Sequence, residues 1–176
     1  MVSRRKFLSN DDLARLIESF SKYLACCKVG LQFGSLLYFE MGAMFERKVK
    51  PGVTVSGGSS SLVLEGYEWK IFDSKHKIVA DSARVSDEIV EDRLEPFFLK
   101  ANLEALKFDK GAKELRAQFS NRLLIASAAL LTGDYVDDNL CLWVLPDGRV
   151  LSCDANRGFY SDGSLSHVHA KNYAPA

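Results

Sequence analysis

The side chains most able to do chemistry in this chain are three histidines, four cysteines and several groups of carboxylates. His167-Val168-His169 would set two imidazoles on one face of a strand, as a metal pair requires. The stretch around them is polar and close to the C-terminus, and no HExxH or calcium-loop pattern accompanies them. A solvated tail is the simpler reading. His76 falls beside lysines in a turn and reads as exposed. Cys26, Cys27, Cys141 and Cys153 form no CxxC pair and no zinc-type spacing, so buried, reduced thiols acting as small hydrophobes are expected. Gly57-Gly58-Ser59-Ser60-Ser61 is neither a nucleophile elbow nor a phosphate cradle, because no Gly-Lys-Ser/Thr follows and a strand comes next. It reads as a flexible loop. Asp137-Asp138 could do acid–base work, but adjacent loop acids are ordinarily just hydrated.

One acidic pattern points to a partner. Glu88, Asp92 and Glu95 stand at i, i+4 and i+7 of a predicted helix, and Arg93 is the only base between Asp87 and Glu95. Asp134, Asp137 and Asp138 add a second acidic group in a later loop. The plain reading is a solvated helix side. The functional reading is a surface for a basic protein, whose association acidic residues accelerate. These six are the candidate partner-binding residues, and no catalytic, cofactor-binding or metal-binding residue is assigned. Tyr67, Trp69, Trp143, Phe159 and Tyr160 include potential interface anchors. Their period-two settings place them more simply in a core.

The composition bounds what these residues serve. The chain has 176 residues, 47% hydrophobic and 26% charged, with 23 bases and 23 acids. It is therefore globular and long enough to bury a core without disulfides or metal. Zero net charge and a pI near 6.8 argue against a dedicated nucleic-acid binder, which needs a basic excess. Arg4-Arg5-Lys6 is followed by only Phe7-Leu8 before polar residues, so no secretory signal is expected there. No run approaches the roughly 20 apolar residues of a membrane span. The expectation is a soluble, cytoplasmic protein with no cofactor and no membrane partner.

The elements follow from periodicity. Leu13, Leu16, Ile17, Phe20 and Leu24 make one apolar stripe of a helix capped at Ser9 or Asn10, with Cys26-Cys27 at its end. From Val29 the period becomes two. A hairpin turns at Gly34-Ser35 and continues over 36–41. Further strands are predicted over 62–64, 67–72, 77–80, 103–108, 114–119 and 122–127. A last hairpin, 140–145 and 149–153, turns at Pro146-Asp147-Gly148. A second helix is predicted from an Ser86 cap to about Phe98, with Ile89, Val90, Leu94 and Phe97 on its apolar face and Pro96 weakening its last turn. After Asp154 the chain reads as a loosely held polar tail.

Two echoes suggest an internal repeat. Phe33-Gly34-Ser35-Leu36-Leu37-Tyr38-Phe39 is matched by Phe119-Ser120-Asn121-Arg122-Leu123-Leu124-Ile125, and Trp69-Lys70-Ile71-Phe72-Asp73 by Trp143-Val144-Leu145-Pro146-Asp147. The expected fold is α+β, a single domain over 1–176. It is mostly antiparallel β-sheet built from two similar β-hairpin units, about 28–82 and 103–153, with an N-terminal helix and one mid-chain helix.

With Leu31-Gln32-Phe33-Gly34, Ala117-Gln118-Phe119-Ser120, Trp69 and the segment Leu142-Trp143-Val144-Leu145-Pro146-Asp147-Gly148, the arrangement resembles small bacterial immunity proteins of polymorphic toxin systems. Those include contact-dependent growth inhibition. The resemblance covers residues 28–153 and implies a non-catalytic cytosolic protein that binds and neutralises one cognate toxin. It transfers no binding residue by position. If the toxin is a basic nuclease domain, the acidic residues would stand in for the phosphate backbone. The rival expectation is a small-ligand-binding protein or enzyme with a pocket between the two β-units.

Overall fold

Ser9 starts the first helix in the computed structural model, which describes residues 6–32, 36–65, 68–128 and 139–161. Its hydroxyl accepts the Asp12 N–H at 3.1 Å while the Asp12 carboxylate accepts the Ser9 N–H at 2.9 Å, a reciprocal capping box. Helix α1 (Asn10–Phe20) buries Leu13 and Ile17, and a short 3-10 turn, Ser21–Tyr23, follows it. Asn10 ties the helix to a strand. Its side-chain oxygen accepts the Phe108 N–H at 3.0 Å and its amide donates to the Phe108 carbonyl at 3.2 Å.

Cys26 and Cys27 do not end this helix, as expected above. They open a strand, because the Cys26 N–H donates to the Ala101 carbonyl at 2.8 Å and the Cys26 carbonyl accepts from Lys100 at 2.7 Å. Backbone pairing with a distant segment overrides the helical stripe here.

Twelve strands are present among the described residues: β1 (Lys6–Phe7), β2 (Cys26–Gln32), β3 (Leu36–Lys50), β4 (Val53–Leu64), β5 (Glu68–Phe72), β6 (Ile78–Asp81), β7 (Leu103–Asp109), β8 (Glu114–Phe119), β9 (Leu124–Ala128), β10 (Asn139–Val144), β11 (Val150–Asp154) and β12 (Gly158–Ser161). They form two antiparallel sheets, ordered β1-β12-β11-β10-β4-β3-β2 and β6-β5-β9-β8-β7. Between β6 and β7 lies α2. It is helical over Asp87–Ile89, continues through a π turn at Val90–Leu94 and closes with Glu95–Phe98. The protein is α+β, as its periodicities predict.

The two sheets share one plan. Reading β2-β3-β4-β10-β11 in one and β7-β8-β9-β5-β6 in the other gives the same chain order with the two halves exchanged. Each half supplies a helix, a three-strand meander to one sheet and a two-strand hairpin to the other. The interval from the serine cap to the first meander strand, Ser9 to Cys26 and Ser86 to Leu103, is the same in both. The halves meet where Ala25 bridges Asn102 and the Leu103 N–H donates to the Leu24 carbonyl at 3.0 Å. Trp69 and Trp143 sit in the corresponding strands β5 and β10. The hairpin echo instead joins β3 to β9, which are not counterparts in this plan.

One core lies between the sheets. Trp69, Trp143, Phe39, Phe98, Phe119 and Phe159 are among its largest fully buried side chains. Phe39 of β3, Phe98 of α2 and Phe119 of β8 form a ring cluster, with centroids 5.0, 5.0 and 5.1 Å apart. The buried Trp143 Nε1 donates to the Ser60 hydroxyl at 3.2 Å, which itself donates to the Val144 carbonyl at 2.7 Å. Among the described residues, Ser127 Oγ is a buried hydroxyl with no hydrogen-bond partner.

Two further expectations are corrected. The segment Gly57-Gly58-Ser59-Ser60-Ser61 is not a loop but the middle of β4, paired to β3 from Phe45↔Gly57 to Glu40↔Ser61. Nor does the chain leave the sheet after Asp154, since β12 pairs with β11 and β1 through Ser161. The hairpin turn expected at Gly34-Ser35 lies outside the described residues, although Gln32 and Leu36 pair on either side of it.

Gly58 explains why glycine occupies a strand interior. A Cβ there would stand 2.4 Å from the Met41 carbonyl oxygen and 2.6 Å from its nitrogen, both backbone atoms that cannot move aside. Gly58→Ala should destabilise the protein by about 1–3 kcal/mol through overpacking, read as a lower urea midpoint at unchanged slope. Gly57, where an added Cβ would stand 3.6 Å from its nearest neighbour and the backbone is not left-handed, is the control for steric crowding.

Candidate functional site

Helix α2 carries the first group of predicted partner-binding residues, and its π turn decides where they point. The Ser86 hydroxyl caps it by accepting the Ile89 N–H at 3.3 Å. Pro96 has no N–H for a regular α-helical bond and would crowd the carbonyl four residues earlier. The chain answers with one wide turn, in which the Glu95 N–H reaches back to the Val90 carbonyl. The widening moves the buried line to Val90, Leu94 and Phe98. Phe97, expected in the core, is 67% exposed instead.

The same turn divides the acidic triplet. Glu88 and Asp92 are exposed on the outside of α2, whereas Glu95 is half-buried. The Glu95 charge acts on the Cys26 and Cys27 thiols of β2, which places it against that strand. The expected continuous face therefore reduces to Glu88 and Asp92. Asp134, Asp137 and Asp138 lie outside the described residues. Phe97 is the residue that periodicity missed. The signal was the doublet itself, because two consecutive aromatics on a helix cannot both face one core.

Other candidates fall elsewhere. Trp69, Trp143 and Phe159 are core residues, and Tyr160 stacks at a tilt on Phe7 with centroids 6.1 Å apart. Tyr67 and His167-Val168-His169 lie outside the described residues. His76 is an exposed turn residue at φ 59°, and it lines a shallow hollow of about 260 Å³ on the outer face of the five-stranded sheet. Glu114 and Arg116 share this hollow and are paired to each other at 2.6 Å. The described residues contain no group of three or more histidines, cysteines and carboxylates placed to hold a metal ion. None of their helices is long and apolar enough to cross a membrane.

All four thiols are free. Cys26, Cys141 and Cys153 are buried, while Cys27 is half-buried and donates to the Glu40 carbonyl at 3.2 Å. The Glu40 carboxylate in turn accepts the Gly58 N–H at 2.8 Å and the Ser61 hydroxyl at 3.2 Å. Burial pushes the Cys26 thiol up to about 12, with the nearby Cys27 and the charges of Glu95 and Glu40 adding to it. Burial and the Glu40 charge raise Cys27, and burial beside Cys153 raises Cys141 well above an ordinary thiol. At neutral pH Cys26, Cys27 and Cys141 therefore stay protonated and are poor nucleophiles.

No protein-family model, curated protein or solved structure matches this chain.

The raised thiols give a signed pH dependence. In the unfolded chain Cys26 ionises near 9.0, while in the folded protein it holds its proton until about 12. Its contribution to stability is therefore complete below pH 9 and is lost as the pH rises towards 12. The urea midpoint of the wild-type protein should fall more over this interval than that of Cys26→Ala. Parallel pH profiles would contradict the assignment.

Proposed function

We propose that this protein is a non-catalytic binding protein, an immunity protein that neutralises a cognate toxin by covering its active or substrate-binding surface. The observation that carries this reading is the outer side of α2. A 67% exposed Phe97 stands on the same short helix as two solvent-facing carboxylates, Glu88 and Asp92. An aromatic ring held in water by a rigid helix, with its neighbour Phe98 locked in the core, is a preformed anchor for a partner pocket. The flanking carboxylates favour a basic partner and speed its approach. A basic nuclease domain has that chemistry, and the resemblance of 28–153 to immunity proteins points the same way.

A second reading rests on the hollow at His76. With Glu114 and Arg116 beside it, it offers a small polar ligand an imidazole and an ion pair. It lies outside the sheets and not between them, where the side chains of the shared core are packed.

Capture of the tagged protein's partner from its native cells, followed by binding measurements on the purified pair, separates the readings. A stoichiometric protein partner is expected. Phe97→Ala should weaken it by about 2 kcal/mol or more, some thirtyfold in Kd. Glu88→Lys with Asp92→Lys should mainly slow association, and more so at low salt. Affinity unchanged by all three substitutions would remove this surface. Native mass spectrometry showing a retained small molecule, lost on His76→Ala, would favour the second reading.

A further inference from the structure

The two sheets differ at one edge. In the seven-stranded sheet β11 is covered by β12, with Leu151 opposite Ser161 and Cys153 opposite Phe159. Its counterpart in the five-stranded sheet, β6, pairs with β5 on one side and has no strand on the other among the described residues. Ile78 and Val79 of β6 are 52% and 50% exposed, while Ala80 packs against the core. The register with β5 shifts between Ile71↔Ala80 and Phe72↔Ile78, which leaves Val79 as the extra residue of a bulge. An exposed edge of this kind is a template for a further strand.

Between β6 and α2 runs a groove of about 300 Å³. Val79, Val85, Ile89 and Leu94 give it an apolar lining, and Asp81, Arg84 and Arg93 are its charged lining residues. The size suits one or two side chains of an extended peptide and falls at the lower end for a compact organic ligand. The charge selects the occupant. Asp81, the carboxylate at this groove, already accepts the Ala83 N–H at 3.1 Å and lies 4.0 Å from Arg84, whose side chain is 88% exposed. Arg93 makes no ion pair among the described residues. An incoming cation would meet two guanidinium groups, whereas a carboxylate would find charge-assisted donors beside apolar walls.

We infer that β6 and α2 form a docking groove for an extended segment of a partner protein, which adds as a strand on β6, seats an aliphatic side chain in the groove and places a carboxylate on Arg93 and Arg84. Edge addition supplies affinity through main-chain hydrogen bonds, and the groove supplies the choice of side chain. This site uses neither Glu88, Asp92 nor Phe97, so it is independent of the surface proposed above and takes a partner segment of opposite charge.

The test is selection from a display library of random linear seven-residue peptides, with the enriched peptides synthesised and titrated by fluorescence anisotropy. Enrichment of sequences that set Val, Ile or Leu within two positions of Asp, Glu or a free C-terminal carboxylate is expected. Arg93→Ala should weaken them about tenfold, the loss of one charge-assisted contact. Arg84→Ala should act in the same direction, and Val79→Pro should abolish strand addition. Both arginines are exposed, so their alanine variants report on binding even if the proline variant does not fold. Phe97→Ala should leave peptide affinity unchanged, which keeps this site apart from the α2 surface. Three results would each overturn the groove: no enriched sequence, enrichment of basic peptides, or affinities unmoved by both arginine variants. A concentration-dependent dimer lost in Val79→Pro would also overturn it, because a second copy would then be the occupant.

Discussion

The contact of three phenylalanine rings is the constraint on which the rest of the structure depends. Phe39 comes from the seven-stranded sheet, Phe119 from the five-stranded sheet and Phe98 from α2, and all three are fully buried. Phe98 meets the other two near edge-on, at 66° and 79°, a favoured arrangement for aromatic pairs. Such pairs add about 0.5–1.5 kcal/mol each beyond the burial of their area. The rings therefore join three layers at one point. The π turn in α2 is the local adjustment that brings Phe98 to that point despite Pro96. The exposure of Phe97 is its direct consequence, so the candidate binding anchor and the core contact arise from the same turn.

A second constraint is the crossing of the two halves at Ala25 and Asn102. Each half gives its meander to one sheet and its hairpin to the other, so neither sheet can be completed by one half alone. This exchange accounts for the long-range character of the fold and for the position of α1 against β7 and α2 against β2. The plan is not repeated in every detail: β3 and β4 run on as a long hairpin that β8 and β9 lack, and the two hairpin edges differ. The chain continues past β11 into β12 and covers that edge, while after β6 it turns away into α2 and, among the described residues, no strand pairs with the corresponding edge.

Much of this was legible in the residues. The Ser9 cap and the Leu13 and Ile17 stripe specify α1, and the turn at Pro146-Asp147-Gly148, with Gly148 at φ 82°, specifies the β10–β11 hairpin. These signals are local, and local chemistry is enough to decide them. What misled was set by distant partners. Nothing near Gly57-Gly58-Ser59-Ser60-Ser61 marks a strand, because glycine is required there by the approach of the Met41 backbone. Cys26 reads as the end of a helix until the carbonyl of Ala101 is present to pair with it. The acidic triplet assumed an ideal helical turn, and one π turn was enough to send Glu95 to β2 and leave Glu88 and Asp92 outside. The open edge of β6 had no sequence signal beyond two branched residues in a short strand.

The central claim is that the ring cluster makes the two sheets one cooperative unit, and the buried tryptophans test it directly. Trp69 reports on the five-stranded sheet and Trp143 on the seven-stranded sheet. Equilibrium urea unfolding of the single-tryptophan variants Trp143→Phe and Trp69→Phe should be followed by fluorescence and far-UV circular dichroism together. The account predicts that within each variant the two signals change in one coincident transition. A tryptophan signal lost well before or after the backbone signal would show that the sheets unfold separately and that the shared core does not bind them.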